Sequence, residues 1–271
     1  MNNLGLVFCL LIMCLQLNAQ TQKLRQVQIL QMSRSNNEQM SGINGAAVVW
    51  NPQEKKYYSA MAGNAEFPFC VFDVEGKRLS ADSLECNIDL RGLWFNAENN
   101  TIQANAFGIK GFFEYQLDDK GLPQPVSTHA TGMSQPNYQA AGNYDVAKAR
   151  IIFLDLDQVI YYDQEGNLQD EALTIHWGRT KSDPPLESLV AQTPQEYNNT
   201  TVIYTGINGS ELGFLNVEKK QIELYNQKDG FLSKVLILPR ATPVKLNYNF
   251  SFANNIYWLF NSEKTQWFGY R

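Results

Sequence analysis

The chain has 271 residues, 44% of them hydrophobic and 12% aromatic, enough apolar surface to bury a full core as one compact domain. Lys and Arg number 22 against 27 Asp and Glu, which gives a formal net charge of -5 and an isoelectric point near 5.2. No basic stripe is available to neutralise phosphates. Nucleic acid and anionic membrane surfaces are therefore poor partners and no nucleic acid is expected, while neutral and cationic ligands stay open.

The chain begins with an apolar run over residues 4–17 and a small residue, Ala19, before Gln20. This pattern predicts a secretory signal peptide over residues 1–19, cleaved after Ala19, and a mature domain of residues 20–271 that is secreted or periplasmic. The run is too short to span a bilayer, so no integral membrane association is expected. It lacks a basic start, and a retained interfacial anchor is the alternative. Neither Cys9 nor Cys14 follows the small residue that a lipidated cysteine needs. Next comes LRQVQILQM from Leu24, an isolated strand with Val27 and Ile29 in alternation.

Five pieces then repeat one pattern, an apolar or aromatic strand, a short polar turn and a second strand. They are AAVVWNPQEKKYYSAM from Ala46, RGLWFNAENNTIQANAF from Arg91, NYDVAKARIIFLDL from Asn143, EYNNTTVIYTG from Glu196 and NFSFANNIYWLF from Asn249. Aligned on Tyr58, Gln103, Ile152, Tyr204 and Trp258 as second strands, they recur every 45 to 54 residues. That is the length of one four-stranded propeller blade. A third strand running into a tight acidic or Gly-containing turn also recurs, as CVFDVEGKRL from Cys70, FEYQLDDKGLP from Phe113, VIYYDQEGNLQ from Val159 and LGFLNVEKKQI from Leu212.

In strand, turn and aromatic positions these units resemble the blades of NHL and related β-propeller repeats, over nearly the whole mature chain. The resemblance implies an all-β propeller and says little about activity. The fifth unit stops one strand short, and the isolated strand from Leu24 is expected to complete it and close the ring. A two-sheet sandwich is the competing all-β fold. Six blades would require hidden strands in residues 175–195, which Pro184, Pro185 and Pro194 mark instead as an inserted loop. Cys70 and Cys86 fall in one predicted hairpin, either bridged in an oxidising compartment or buried as separate thiols.

Function is expected on the face that carries the second-to-third-strand loops and the long blade linkers, because the tight turns opposite leave little room. By the strand order that face gathers residues 61–68, 106–112, 155–158, 205–213 and 261–266, with linkers 127–142 and 175–197. The linkers carry His129, Asn137, Tyr138, His176, Trp177, Arg179, Tyr197 and Asn198, a mixture suited to stacking on and orienting a carbohydrate, peptide or protein ligand. The same rings could instead cap the core between blades. No serine-hydrolase elbow, zinc-protease helix, CxxC pair or phosphate loop is present, so no metal site and no cofactor are expected.

An enzyme would rest on the carboxylates Glu66, Asp155, Asp157 and Glu211, as in a propeller glycosidase with paired acids. Asp155 and Asp157 could alternatively bind calcium, or be a solvated strand end. The sequence favours an exported, non-catalytic binding or interaction module.

Overall fold

The computed structural model describes residues 20–33, 43–108, 111–132, 134–184 and 194–271; the expected signal peptide lies outside them. Every element described is a strand. A leader of β1 (Gln20–Lys23) and β2 (Gln26–Gln31) precedes the first blade, β3 (Asn44–Asn51), β4 (Lys56–Ala62) and β5 (Cys70–Phe72). The second blade is β6 (Leu90–Asn96), β7 (Thr101–Ala106), β8 (Phe112–Tyr115) and β9 (Ser127–Ala130). The third is β10 (Asn143–Asp145), β11 (Arg150–Asp155), β12 (Gln158–Tyr162) and β13 (Leu168–Thr174). The fourth is β14 (Ile203–Tyr204), β15 (Leu212–Asn216), β16 (Gln221–Tyr225) and β17 (Leu232–Ile237), and the fifth is β18 (Phe250–Ala253), β19 (Ile256–Asn261) and β20 (Gln266–Tyr270).

Each blade is an antiparallel meander, and the inner strands β3, β6, β10, β14 and β18 neighbour one another in a closed ring. The chain folds as a five-bladed β-propeller. Its core is five apolar clusters, one between each pair of adjacent blades. Strand β19, IYWLFN, shows why its sequence is apolar without a break. Ile256, Trp258 and Phe260 pack toward the first blade, and Tyr257 and Leu259 toward the fourth. Both faces are buried, as strand alternation requires in a stacked sheet.

The leader closes the ring twice. β2 pairs antiparallel with β20 as the outer strand of the fifth blade, as expected from Leu24 onward. Its buried residue is Leu30, followed by Met32, whereas Val27 and Ile29 lie on the outward side of the same alternation; a bulge falls between Gln26 and Gln28. β1 pairs parallel with β17 of the fourth blade, a contact the sequence did not announce.

Two details differ from expectation, and one open alternative is decided. The first blade's fourth strand reduces to isolated bridges, Phe72 with Arg78 and Pro68 with Glu85. In the fourth blade Tyr204 lies on the inner strand and Phe214 on the second. The segment NNT at Asn198 imitates a hairpin turn, but the Asn198 side chain accepts the N–H groups of Thr200 and Thr201 inside the linker. Finally, Cys70 and Cys86 are free buried thiols. They belong to the clusters on opposite sides of the first blade, so a bridge across the hairpin does not form.

Candidate functional site

A cavity of ≈ 730 Å³ opens on the long-loop face, at the axis. It is built from the starts of inner strands and the ends of second strands. Asn44 begins β3, Ala62 ends β4, Arg91 lies on β6 and Asp155 ends β11. Linkers add Asn137, Gln139, Asn199, Thr200, Asn247 and Tyr248. Every blade thus contributes to the wall, which is rich in side-chain amides.

Arg91 anchors one side. It is the bulge residue between Leu90 and Gly92, so its side chain is turned out of the strand's normal alternation. Its guanidinium forms a bidentate pair with Asp89, donates from Nε to Gln139 Oε1 at 3.0 Å and lies over the rings of Phe107 at 4.8 Å and Tyr248 at 5.5 Å. Asp89 also accepts the Gly63 N–H at 2.7 Å. The Tyr248 hydroxyl donates to the same Gln139 oxygen. Burial pushes the Tyr248 phenol up to about 12, against the opposing pull of Arg91, so it remains a neutral donor at physiological pH.

The backbone around the cavity is strained. Tyr248 and Asn249 hold φ of 47° and 60°, and Leu156 on the opposite wall holds 57°, a region that residues with a Cβ rarely enter. The Asn198 amide fixes this turn by donating to the carbonyls of Lys245 at 3.0 Å and Tyr248 at 2.8 Å, while Thr200 Oγ1 accepts the Tyr248 N–H. Around the rim, Phe107, Tyr138, Leu156 and Leu246 are exposed. Phe107 and Tyr138 meet edge to face at 6.0 Å. A polar cavity with an aromatic rim can hold a neutral ligand by many weak hydrogen bonds and one apolar contact.

Of the residues singled out in sequence, Asn137 and Asp155 line this cavity, and Tyr138 stands at the aromatic rim. His129 is exposed on the outer strand β9. His176 stacks on Phe231 at 4.0 Å; burial and the Arg179 charge hold it below the ordinary histidine value. Trp177 packs against Tyr197 at 4.6 Å and Phe214 at 4.9 Å. The Tyr197 hydroxyl donates to buried Glu223 at 2.6 Å. Arg179 is part-buried, and its carbonyl accepts the Leu232 N–H at 2.7 Å. These five residues sit outside the cavity lining.

The four carboxylates do not converge. Glu66 is exposed, and Asp157 is buried within the two-residue turn between β11 and β12. Glu211 lies in the turn from β14 to β15, on the opposite face, and accepts the N–H groups of Gly209 and Gln227. The sequence places it on the same face as Asp155; because Ile203–Tyr204 is the inner strand and Leu212–Asn216 the second, it stands on the other face instead. Among the described residues no cluster of three or more His, Cys, Asp or Glu is placed to hold a metal ion. Sequence reasoning missed Arg91, Gln139 and Tyr248. Arg91 left a signal, since it is the only basic residue in the five inner strands.

Fold and site define a five-bladed propeller with a polar axial cavity. By overall structure the chain is similar to glutaminyl cyclase from Myxococcus xanthus, with a TM-score of 0.56 and 8% identity over 94% of this chain and 98% of that one. It is also similar to a protein of unknown function from Bacteroides thetaiotaomicron, with a TM-score of 0.51 and 12% identity over 84% of this chain and 59% of that one. No family model matches the sequence, and no curated protein is similar to it in sequence. At such identities the likeness is one of fold.

Proposed function

We propose that the protein is an exported, non-catalytic binding module that holds a small neutral ligand, the end of a carbohydrate or peptide, in the axial cavity of its long-loop face. The observation that carries this reading is the lining itself. It is dominated by amides and hydroxyls, and Asp155 is its only carboxylate. A paired-acid glycosidase needs two carboxyl groups about 5 to 9.5 Å apart across the scissile bond. Glu66, Asp157 and Glu211 supply no second acid to this lining, and Asp89 is engaged by Arg91. The export half of the proposal rests on the signal-peptide pattern ending at Ala19.

The fold is shared with an enzyme, glutaminyl cyclase, so the test must be able to see turnover. Purified protein is incubated with a panel of neutral glycans and peptides, including peptides with N-terminal glutamine, and each ligand is recovered and weighed. Saturable capture with unchanged ligand mass is the expected result. Turnover that disappears in Asp155→Asn would replace the binding reading with a single-carboxylate enzyme.

A further inference from the structure

A second cavity, of ≈ 290 Å³, opens at the other end of the axis, among the turns that join first to second strands. Its lining differs in kind, because it includes no charged side chain. Trp50, Phe95, Tyr144 and Phe252 are each the penultimate residue of their inner strand, and Tyr204 is the last of its own. All five line the cavity, so every blade contributes one aromatic ring at the same height. In three blades the next residue, Asn51, Asn96 or Asp145, accepts backbone N–H groups of the following turn and so fixes where the strand ends.

The collar is preformed. Trp50 packs on Tyr57 at 4.6 Å, Phe252 packs on Tyr257 at 4.9 Å, and the Tyr144 hydroxyl accepts from Gln164 at 3.2 Å. Little ordering cost remains for an occupant. Val146, 63% exposed, extends the apolar surface to the mouth. The absence of charge from the lining disfavours an ionic ligand, which would lose its hydration without a partner. The volume lies just below the usual range for small-molecule sites, about 300 to 1,000 Å³, and suits one single or fused ring. The amides of Asn143 and Asn254 supply a polar edge.

We propose that this collar is a second binding site, for an uncharged planar aromatic compound, on the face opposite the polar cavity. Calorimetric titration with indole and 2-naphthol, with naphthalene-2-sulfonate as the charged control, tests it. Expected is saturable binding of the two neutral compounds, about tenfold or more tighter than the sulfonate. Val146→Asp, at an exposed turn position, is expected to weaken that binding by about tenfold without lowering Tm. Tyr138→Ala, on the other face, is expected to leave it unchanged. Unsaturable uptake, equal affinity for the sulfonate, or binding that survives Val146→Asp would overturn the proposal.

Discussion

His176 shows how a residue that invites a catalytic reading is held in a structural role. Its ring stacks on Phe231, and its backbone N–H donates to the Gly230 carbonyl at 2.9 Å, tying the end of the third blade to the fourth. Burial, then the Arg179 charge, lower its pKa in the folded protein, with Asp229 opposing. The unfolded chain, near the ordinary value of about 6.5, therefore binds a proton more readily than the folded one. Its contribution to stability is complete above that value and is lost as pH falls from there through the folded pKa. Urea unfolding at pH 7.5 and 5 is expected to show a smaller acid loss for His176→Gln than for the parent; an equal loss would mean that His176 is not a titrating element of the fold.

At the scale of elements, the third-strand turns explain the motif that was visible in sequence. Asp73, Asp118 and Asp163 each accept a backbone N–H four residues on, and Gly76, Gly121 and Gly166 each donate to the carbonyl of their Asp. Gly76 adopts φ 86°, and a Cβ there would come within 2.8 Å of the Ile29 carbonyl oxygen on the leader strand. Only glycine combines that conformation with so close an approach. Gly76→Ala is expected to cost about 1–3 kcal/mol, measured by denaturant unfolding; an unchanged midpoint would contradict the packing of this turn on β2.

The turns and the two-faced strands were legible because each depends on neighbours in sequence. The site was not. Arg91 lies on the inner strand of the second blade, Gln139 and Tyr248 in two separate blade linkers, and only ring closure brings them together. The fourth blade hides its register for a related reason: its inner strand is two residues long, and the Asn198 side chain ahead of it bonds the carbonyls of a linker about 50 residues on in sequence. Asn137 and Asp155 were found because loop length and strand ends already pointed to the axial face.

For the whole molecule, the leader is the fastener of the ring. β2 covers the β20 edge and buries Leu30, while β1 adds a parallel strand to β17, so one segment ties the fourth blade to the fifth. Deleting residues 20–31 removes both ladders and leaves the edge beside Trp267 and Phe268 open. A single, global drop in Tm is expected, with self-association in sedimentation. A truncated chain that melts like the parent as a monomer would show that the ring does not depend on its leader.

The axial cavity is proposed to hold a ligand and return it unaltered. Asn137 lines that cavity from an exposed position, and among the described residues its side chain accepts the Gln139 N–H alone, so Asn137→Trp fills the site with little burden on the fold. The decisive measurement is equilibrium titration of the parent and of Asn137→Trp with whichever glycan or peptide the parent captures, followed by mass spectrometry of the recovered ligand. The expected result is affinity weakened by about tenfold or more in the variant, an unchanged Tm and an unchanged ligand mass. Equal affinity in the two proteins, or a ligand of altered mass, would contradict it.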